Sequence, residues 1–212
     1  MRGVPVCVFA RPPRAGEAKT RLGRVIGHER AARLAQAFLV DTWHLVTALP
    51  WARPVLAGTD DDVAAYGLGP VELWSQGEGD LGARMTRILE RALRLAPRAL
   101  LVGADVPGLP AEHLEAVLEG LSRHDIVLAP SEDGGFHLLG ARRLAPRALE
   151  GVSWSTATTL AQTEAALARA GLTTARAARW FDVDVAGDLE RLRELLQERP
   201  DAAPRTREAL EA

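Results

Sequence analysis

The chain has 212 residues, of which 47% are hydrophobic and 25% are charged, and its formal net charge is -2. This length and hydrophobic content suit one α/β domain with a sizeable core. The charge gives no basic field for nucleic acid, and no apolar run approaches the roughly 20 residues that span a bilayer. We therefore expect a single domain over 1–212 that binds neither nucleic acid nor a membrane.

The amino terminus and the cysteine content bear on location. The first residues lack the basic, apolar and small-residue order of a signal peptide. Cys7 is the single cysteine, so it has no disulfide partner within the chain. Both observations favour a cytoplasmic protein.

The first predicted strand, 4–9, is apolar and rich in valine, which is typical of a central strand. Segment 10–24 follows with two prolines and two glycines, which favours a loop over a helix. It carries Lys19, the only lysine of the chain, and Arg21, at a spacing that points both side chains the same way. The other 25 basic residues are arginines, so a retained ammonium indicates a need for a compact charge. We interpret the segment as a phosphate-binding loop.

A long helix is predicted over 29–49, where Pro50 ends it. Asp41 falls on its apolar face, and a carboxylate there requires a partner. We expect a structural pairing of Asp41 with an arginine of the preceding loop. Strands over 53–57 and 71–74 continue the alternation of strands and helices.

The glycine-rich segment 76–84 stands between a strand and an amphipathic helix. Gly77 and Gly82 allow close approach to the backbone, and the Gln76 amide suits a nucleobase edge. A glycine turn capped by Asp80 would give the same pattern. The segment by itself leaves both interpretations open.

A buried strand starting at Ala99 ends at Asp105. Ligands of open α/β sheets gather beyond the carboxyl ends of such strands. Pro107 favours extended geometry at Val106, which should hold the carboxylate in place. Because Asp105 lies six positions before the helix expected from Ala111, it is too distant to be an N-cap. We interpret Asp105 as a site residue.

The carboxyl-terminal half is predicted to contain a helix over 111–123, a strand over 125–129, a glycine turn over 131–137 and a strand over 138–141. Ser155 or Thr156 is expected to cap a helix that runs to residue 170. Strand alternation would send Asp182 and Asp184 to the same side, ahead of a last helix with Asp188 as its cap. The polar tail, 199–212, is expected to fray.

Five short motifs together resemble the DUF2064 family of glycosyltransferase-A-type proteins. They are Lys19-Thr20-Arg21-Leu22, Gly103-Ala104-Asp105-Val106-Pro107, Glu132-Asp133-Gly134-Gly135-Phe136, Trp154-Ser155-Thr156 and Asp182-Val183-Asp184. The set is more distantly similar to small nucleotidylyltransferases such as phospholactate guanylyltransferase. The resemblance implies the nucleotide-diphospho-sugar transferase (GT-A) fold, a mixed, mostly parallel sheet flanked by helices. It also implies a nucleotide on the half 1–110 and a small acceptor on the half 111–198.

The resemblance also implies roles for single residues. Asp105 and Asp184 would hold Mg²⁺ or Mn²⁺, for which carboxylate oxygens are suitable ligands. Lys19 and Arg21 would contact phosphate and, with Asp105, act in catalysis. The remaining implied contacts are to the nucleotide from Gln76, Gly77, Gly82 and Ala104, and to the acceptor from Asp133, Gly134, Gly135 and Trp154.

Two departures leave the reaction type open. The loop after the first strand lacks the Gly-x-Gly of many nucleotidylyltransferases, and position 105 lacks the full Asp-x-Asp of many glycosyltransferases. Metal and cations could stabilise either a departing nucleoside diphosphate or a departing pyrophosphate. We favour glycosyl transfer from a nucleotide sugar over nucleotidyl transfer from a nucleoside triphosphate and over a silent nucleotide-binding domain. A monomer and a homodimer are both compatible with the sequence.

Overall fold

The computed structural model describes residues 3–211 as one seven-stranded sheet flanked by helices. The strands are β1 (Val4–Ala10), β2 (Ala52–Gly58), β3 (Leu73–Ser75), β4 (Ala99–Gly103), β5 (Ile126–Pro130), β6 (Phe136–Ala141) and β7 (Thr174–Arg176). The helices are α1 (Thr20–Ile26), α2 (His28–Ala48), α3 (Leu81–Leu93), α4 (Ala111–Gly120), α5 (Thr159–Arg169), α6 (Ala186–Glu198) and α7 (Pro204–Glu211). Within 3–211, none of the helices combines the length and apolar character needed to cross a membrane.

The sheet has the strand order β3-β2-β1-β4-β6-β5-β7. β6 is antiparallel to both of its neighbours, and the other pairs are parallel. This confirms the mixed, mostly parallel α/β sheet and the central place of β1. Because β1, β2 and β4 run in parallel, their carboxyl ends meet at one edge of the sheet, where loops can form a shared site.

Alternation along β1 divides the core between the two faces of the sheet. Cys7 packs on one face with Ile88 of α3, and Val8 packs on the other with Leu39 of α2. A third cluster around Phe38 joins α1, α2 and α6 next to the sheet edge. Burial on both faces explains the near-continuous apolar sequences of the strands.

Two helix starts differ from the sequence-based expectation. The loop predicted over 10–24 ends early, because α1 begins at Thr20 with Lys19 as its left-handed N-cap residue (φ 47°). Conversely, neither Ser155 nor Thr156 caps α5, which begins only at Thr159. Ser155 is left-handed (φ 59°), so the chain makes a further turn before the helix. Both unusual conformations lie beside the candidate site described below.

Asp41 is structural, as expected, but its partner is not an arginine side chain. Its two carboxylate oxygens accept the backbone N–H groups of Arg205 (3.1 Å) and Thr206 (2.8 Å). These N–H groups belong to the unsatisfied first turn of α7, so Asp41 caps that helix from a distant part of the chain. The expectation of a fraying tail over 199–212 is therefore wrong for 204–211, which fold against α2.

Candidate active site

Three carboxylates converge at the sheet edge. Asp105 follows β4, and Asp182 and Asp184 precede α6; each offers an oxygen within 4.8 Å of the others. The backbone N–H of Val183 donates to the Asp105 carbonyl (3.1 Å), which joins the two segments. Val183 itself is buried in the hydrophobic core, opposite the two aspartates. Val185, not Asp188, is the N-cap residue of α6, but Asp188 in the first turn reaches back and accepts the N–H groups of Asp184 and Val185 (both 2.8 Å).

Lys19 lies between two of these carboxylates. Its Nζ donates to Asp105 Oδ2 (2.7 Å) and Asp184 Oδ1 (2.6 Å), and its side chain is 9% exposed. Burial opposes the charge, but the two carboxylates outweigh it and raise the pKa of Lys19. Asp105 shows the converse: burial is outweighed by Lys19, which lowers the pKa of that carboxyl. The left-handed backbone at Lys19 is the kind of strained conformation that clusters at functional sites.

Asp182 and Asp184 differ in their partners. Arg21 makes a second ion pair with Asp184 at 2.5 Å. Asp182 makes no ion pair with any residue in 3–211. Burial, together with the charges of Asp105, Asp133 and Asp184, raises the pKa of Asp182 to about 7. The structure thus adds to the cluster a carboxyl group whose pKa lies close to neutral pH.

A cleft of about 520 Å³ opens beside the carboxylates and is lined mainly by residues of the half 1–110; we call it the basic compartment. Its charged lining consists of four cationic residues, Arg11, Lys19, Arg21 and Arg84, and three acidic ones, Glu17, Asp105 and Asp184; Gln76 and Ala104 also line it. Of these, sequence reasoning did not assign Arg11 or Arg84. Their positions in the sequence could have indicated both: Arg84 lies within the glycine-rich segment, and Arg11 directly follows β1.

Of the nucleotide contacts predicted in the glycine-rich segment, Gln76 lines the basic compartment, whereas Gly77 and Gly82 are not among its lining residues. Gln76 is only 3% exposed, and its amide nitrogen donates to the carbonyls of Ala57 (2.7 Å) and Ala10 (3.2 Å). Gly77 and Gly82 make room for protein side chains: an added Cβ would lie 2.9 Å from Arg87 and 2.8 Å from Trp154, respectively. The Asp80 cap is also present, on the N–H of Ala83 (2.8 Å). Nucleotide contacts by these residues stay a prediction.

A second cleft, of about 410 Å³, opens on the carboxyl-terminal side, and we call it the acidic compartment. Its lining includes Asp133, Gly135, Phe136, His137, Trp154, Ser155 and Asp182. Asp105, Asp184 and Arg21 line both compartments and stand at their junction. The sequence analysis gave no site role to His137 or Phe136, although both lie within the glycine turn predicted over 131–137.

The glycine turn itself has two functions. Asp133 Oδ1 accepts the N–H of Gly135 (2.9 Å), which closes the turn and leaves Asp133 on the compartment wall. Gly134 packs against the neighbouring segment, because an added Cβ would lie 2.1 Å from the Ala157 carbonyl oxygen. Its own carbonyl accepts the N–H of Leu160 (2.9 Å). The structure thus gives Gly134 a packing role, and an acceptor contact by this residue stays a prediction.

More than half of the chain matches a known protein family. Residues 42–156 match the model of a family described as "Uncharacterized protein conserved in bacteria (DUF2064)". The chain belongs to the DUF2064 family. The matched range of this DUF2064 protein includes Asp105, Asp133 and Trp154.

Two relatives share more than a quarter of their aligned residues with this DUF2064 protein. A 2-phospho-L-lactate guanylyltransferase of Methanothermobacter thermautotrophicus is 28% identical over 135 residues, which are 63% of this chain and 60% of that enzyme. The chain thus matches less than two thirds of the length of this curated relative. A crystal structure from Desulfovibrio desulfuricans G20, provisionally named a nucleotide-diphospho-sugar transferase, is 29% identical with a TM-score of 0.86, covering 96% of this chain and 94% of the other.

A third match supports the fold alone. The CMP:2-keto-3-deoxy-manno-octonic acid synthetase in complex with CTP has a TM-score of 0.60 at 13% identity, covering 93% of this chain and 99% of the other. Together these matches confirm the nucleotide-diphospho-sugar transferase fold and support a transferase-like enzyme.

Proposed function

We propose that the protein is a metal-dependent transferase that uses a nucleotide-activated donor and transfers a glycosyl group to a small acceptor. The observation that carries this proposal is the division of one cleft into a basic and an acidic compartment, with Asp105 and Asp184 at the junction. Such an arrangement suits two substrates of different charge that must meet at one bond. The proposal keeps the whole chain as one domain, with the donor on 1–110 and the acceptor on 111–198.

The basic compartment is suited to the donor. Four of its lining residues are cationic, namely Arg11, Lys19, Arg21 and Arg84. Guanidinium and ammonium groups form charge-assisted hydrogen bonds with phosphate oxygens. We assign the donor phosphates to Lys19 and Arg21, and the nucleoside to the end of the compartment at Gln76 and Ala104.

The carboxylates fit a divalent cation. Asp105, Asp182 and Asp184 present three hard oxygen ligands within 4.8 Å of one another. Mg²⁺ and Mn²⁺ prefer such ligands and bind substrate phosphates as well. When bound, the ion supplies Lewis-acid stabilisation of the charge that develops on the leaving phosphate. Asp105 and Asp184 would be its principal protein ligands.

In the proposed reaction, an acceptor hydroxyl oxygen forms a bond to the anomeric carbon of the donor sugar. The bond from that carbon to the diphosphate oxygen breaks, and its electron pair stays on the departing nucleoside diphosphate. Lys19 and Arg21 stabilise this negative charge. Asp182 lines the acidic compartment and contacts no cation in the described chain, so it is placed to take the hydroxyl proton.

A second candidate is nucleotidyl transfer from a nucleoside triphosphate. It is favoured by the 28% identity to a protein named as a guanylyltransferase. The acceptor oxygen would then form a bond to the α-phosphorus, and pyrophosphate would leave. The same cations would stabilise the leaving group, so the electrostatics of the site suit both reactions.

Phosphorus NMR separates these candidates. The protein is incubated with Mg²⁺ and either a panel of nucleotide sugars or the matching nucleoside triphosphates, with glycerol, glucose and 2-phospho-L-lactate as acceptors. If the protein transfers a glycosyl group, we expect release of nucleoside diphosphate from one of the nucleotide sugars. This release should be lost in Asp105→Asn. Pyrophosphate from a triphosphate, with no sugar consumed, would establish the second candidate, and no turnover with protection against thermal unfolding would indicate a silent binding domain.

A further inference from the structure

The acidic compartment has a charge pattern that the proposed reaction alone does not require. Asp105, Asp133, Asp182 and Asp184 all line it. Lys19 and Arg21 already pair with Asp105 and Asp184, whereas Asp133 and Asp182 form no ion pair within 3–211. Arg21 is the sole Lys or Arg side chain among the lining residues of the described chain. A phosphate or carboxylate placed beside Asp133 would therefore meet a like charge with no unpaired cation next to it, which is costly.

One wall of the compartment is aromatic. Phe136 and Trp154 meet edge to face, with ring centroids 6.3 Å apart and an interplanar angle of 77°. Met85, Leu101 and Leu139 extend the apolar lining. Trp154 packs directly over Gly82, where even a methyl group would collide with its ring. An aromatic surface of this kind suits the apolar face of a small ring.

From the charge pattern and the aromatic wall, we propose that the acidic compartment binds a neutral or positively charged acceptor rich in hydroxyl groups, of the sugar or amino-sugar class. It excludes acceptors that carry a phosphate or carboxylate at this position. The inference rests on the proposed function only in calling the occupant an acceptor. The predicted charge selectivity belongs to the compartment whatever reaction occurs beside it.

The first test measures the local charge without any substrate. Fluorescence quenching of Trp154 by caesium and by iodide is obtained from the difference between the wild-type protein and Trp154→Phe, at constant ionic strength. For each ion, the quenching constant of Trp154 is divided by that of free tryptophan. We expect this ratio to be larger for caesium than for iodide. Asp133→Asn should shift the ratio towards iodide, because it removes one charge and keeps the oxygen that accepts the Gly135 N–H. Stronger quenching by iodide in the wild type would overturn the proposal.

The second test compares glucose, glucosamine and glucose 6-phosphate as ligands of the full chain by NMR titration. We expect glucosamine to bind at least about fivefold more tightly than glucose 6-phosphate, as one favourable charge interaction would produce. Asp133→Asn should reduce this ratio, and Glu132→Gln, which removes the neighbouring charge outside the compartment, should leave it unchanged. Tightest binding of glucose 6-phosphate, an unaltered ratio in Asp133→Asn, or no saturable binding of any of the three would contradict the proposal.

These outcomes are independent of the donor. If the quenching and titration results are as expected but no nucleotide sugar or triphosphate is consumed, the proposed function fails and the selectivity of the compartment stands. If donor turnover is found but the compartment prefers glucose 6-phosphate, only the present inference fails.

Discussion

At the residue scale, Lys19 is the most constrained side chain of the site. Its ammonium contacts two carboxylates, its stem is buried, and its backbone is left-handed. The sequence singled it out as the one lysine of an arginine-rich chain, but could not show that it bridges Asp105 and Asp184. That contact depends on residues 86 and 165 positions away, which no local pattern encodes.

We predict that Lys19→Ala weakens nucleoside diphosphate binding by on the order of 1 to 3 kcal/mol, the value of a charge-assisted hydrogen bond. Calorimetry with a nucleoside diphosphate and with its nucleoside would check this, since the nucleoside lacks the phosphates. Arg14→Ala is the matched control: Arg14 lies in the same loop, but it pairs with Asp60 and lines neither compartment. Equal losses for nucleoside and nucleotide would point to a damaged loop.

Asp184 should stabilise the fold. Although other carboxylates stand beside it, its ion pairs with Lys19 and Arg21 offset their repulsion. Since the Asp184 side chain is 28% exposed, we expect Asp184→Asn to lower the free energy of unfolding by only about 1 to 2 kcal/mol. Urea denaturation in EDTA measures this. A variant as stable as the wild type would contradict the expected contribution of the ion pairs.

Asp182 should make stability depend on pH in the opposite sense to a paired carboxylate. Its folded pKa is about 7, whereas the pKa of an unfolded aspartate is about 3.9. Between these values the folded state holds more protons, so stability falls as pH rises from about 4 to about 7. We predict that Asp182→Asn removes this component, seen as a smaller decline of Tm over that range in EDTA. Parallel pH profiles would contradict it.

At the element scale, α7 depends on a contact from the middle of α2. Asp41 accepts two N–H groups of its first turn from a side chain that is almost fully buried. The sequence showed that Asp41 needed a partner, because a carboxylate on an apolar helix face cannot remain unpaired. It could not show which partner, since backbone N–H groups carry no residue-specific signal.

We predict that Asp41→Ala lowers the free energy of unfolding by about 1 to 2 kcal/mol, the effect of losing an N-cap. Hydrogen exchange of the amides over 204–211 should quicken at the same time, because α7 loses its cap. Asp61→Ala removes an exposed aspartate and serves as the control. Unchanged protection of α7 in Asp41→Ala would show that packing against α2 holds the helix without the cap.

At the scale of the whole molecule, the sheet was predictable and the site was predictable in part. Buried strands such as β1 and β4 show as apolar runs, and the carboxyl ends of parallel strands must meet, which places Asp105 at the site. The glycine turn predicted over 131–137 joins β5 to β6, but it ends two residues earlier because β6 begins at Phe136. The unpredicted β7 is short and half-buried, and its sequence, Thr-Ala-Arg, has no apolar pattern. The division into two compartments also requires the tertiary structure, because each draws residues from distant segments.

The central claim is that the carboxylate junction binds a divalent ion together with the phosphates of a donor in the basic compartment. Calorimetric titration of nucleoside diphosphates into the wild-type protein and Asp105→Asn, each with Mg²⁺ and with EDTA, tests it most directly. We predict that Mg²⁺ tightens binding to the wild type by at least about tenfold, roughly 1.4 kcal/mol, and that this gain disappears in Asp105→Asn. Equal affinities with Mg²⁺ and EDTA, or a Mg²⁺ effect that survives in Asp105→Asn, would contradict the account.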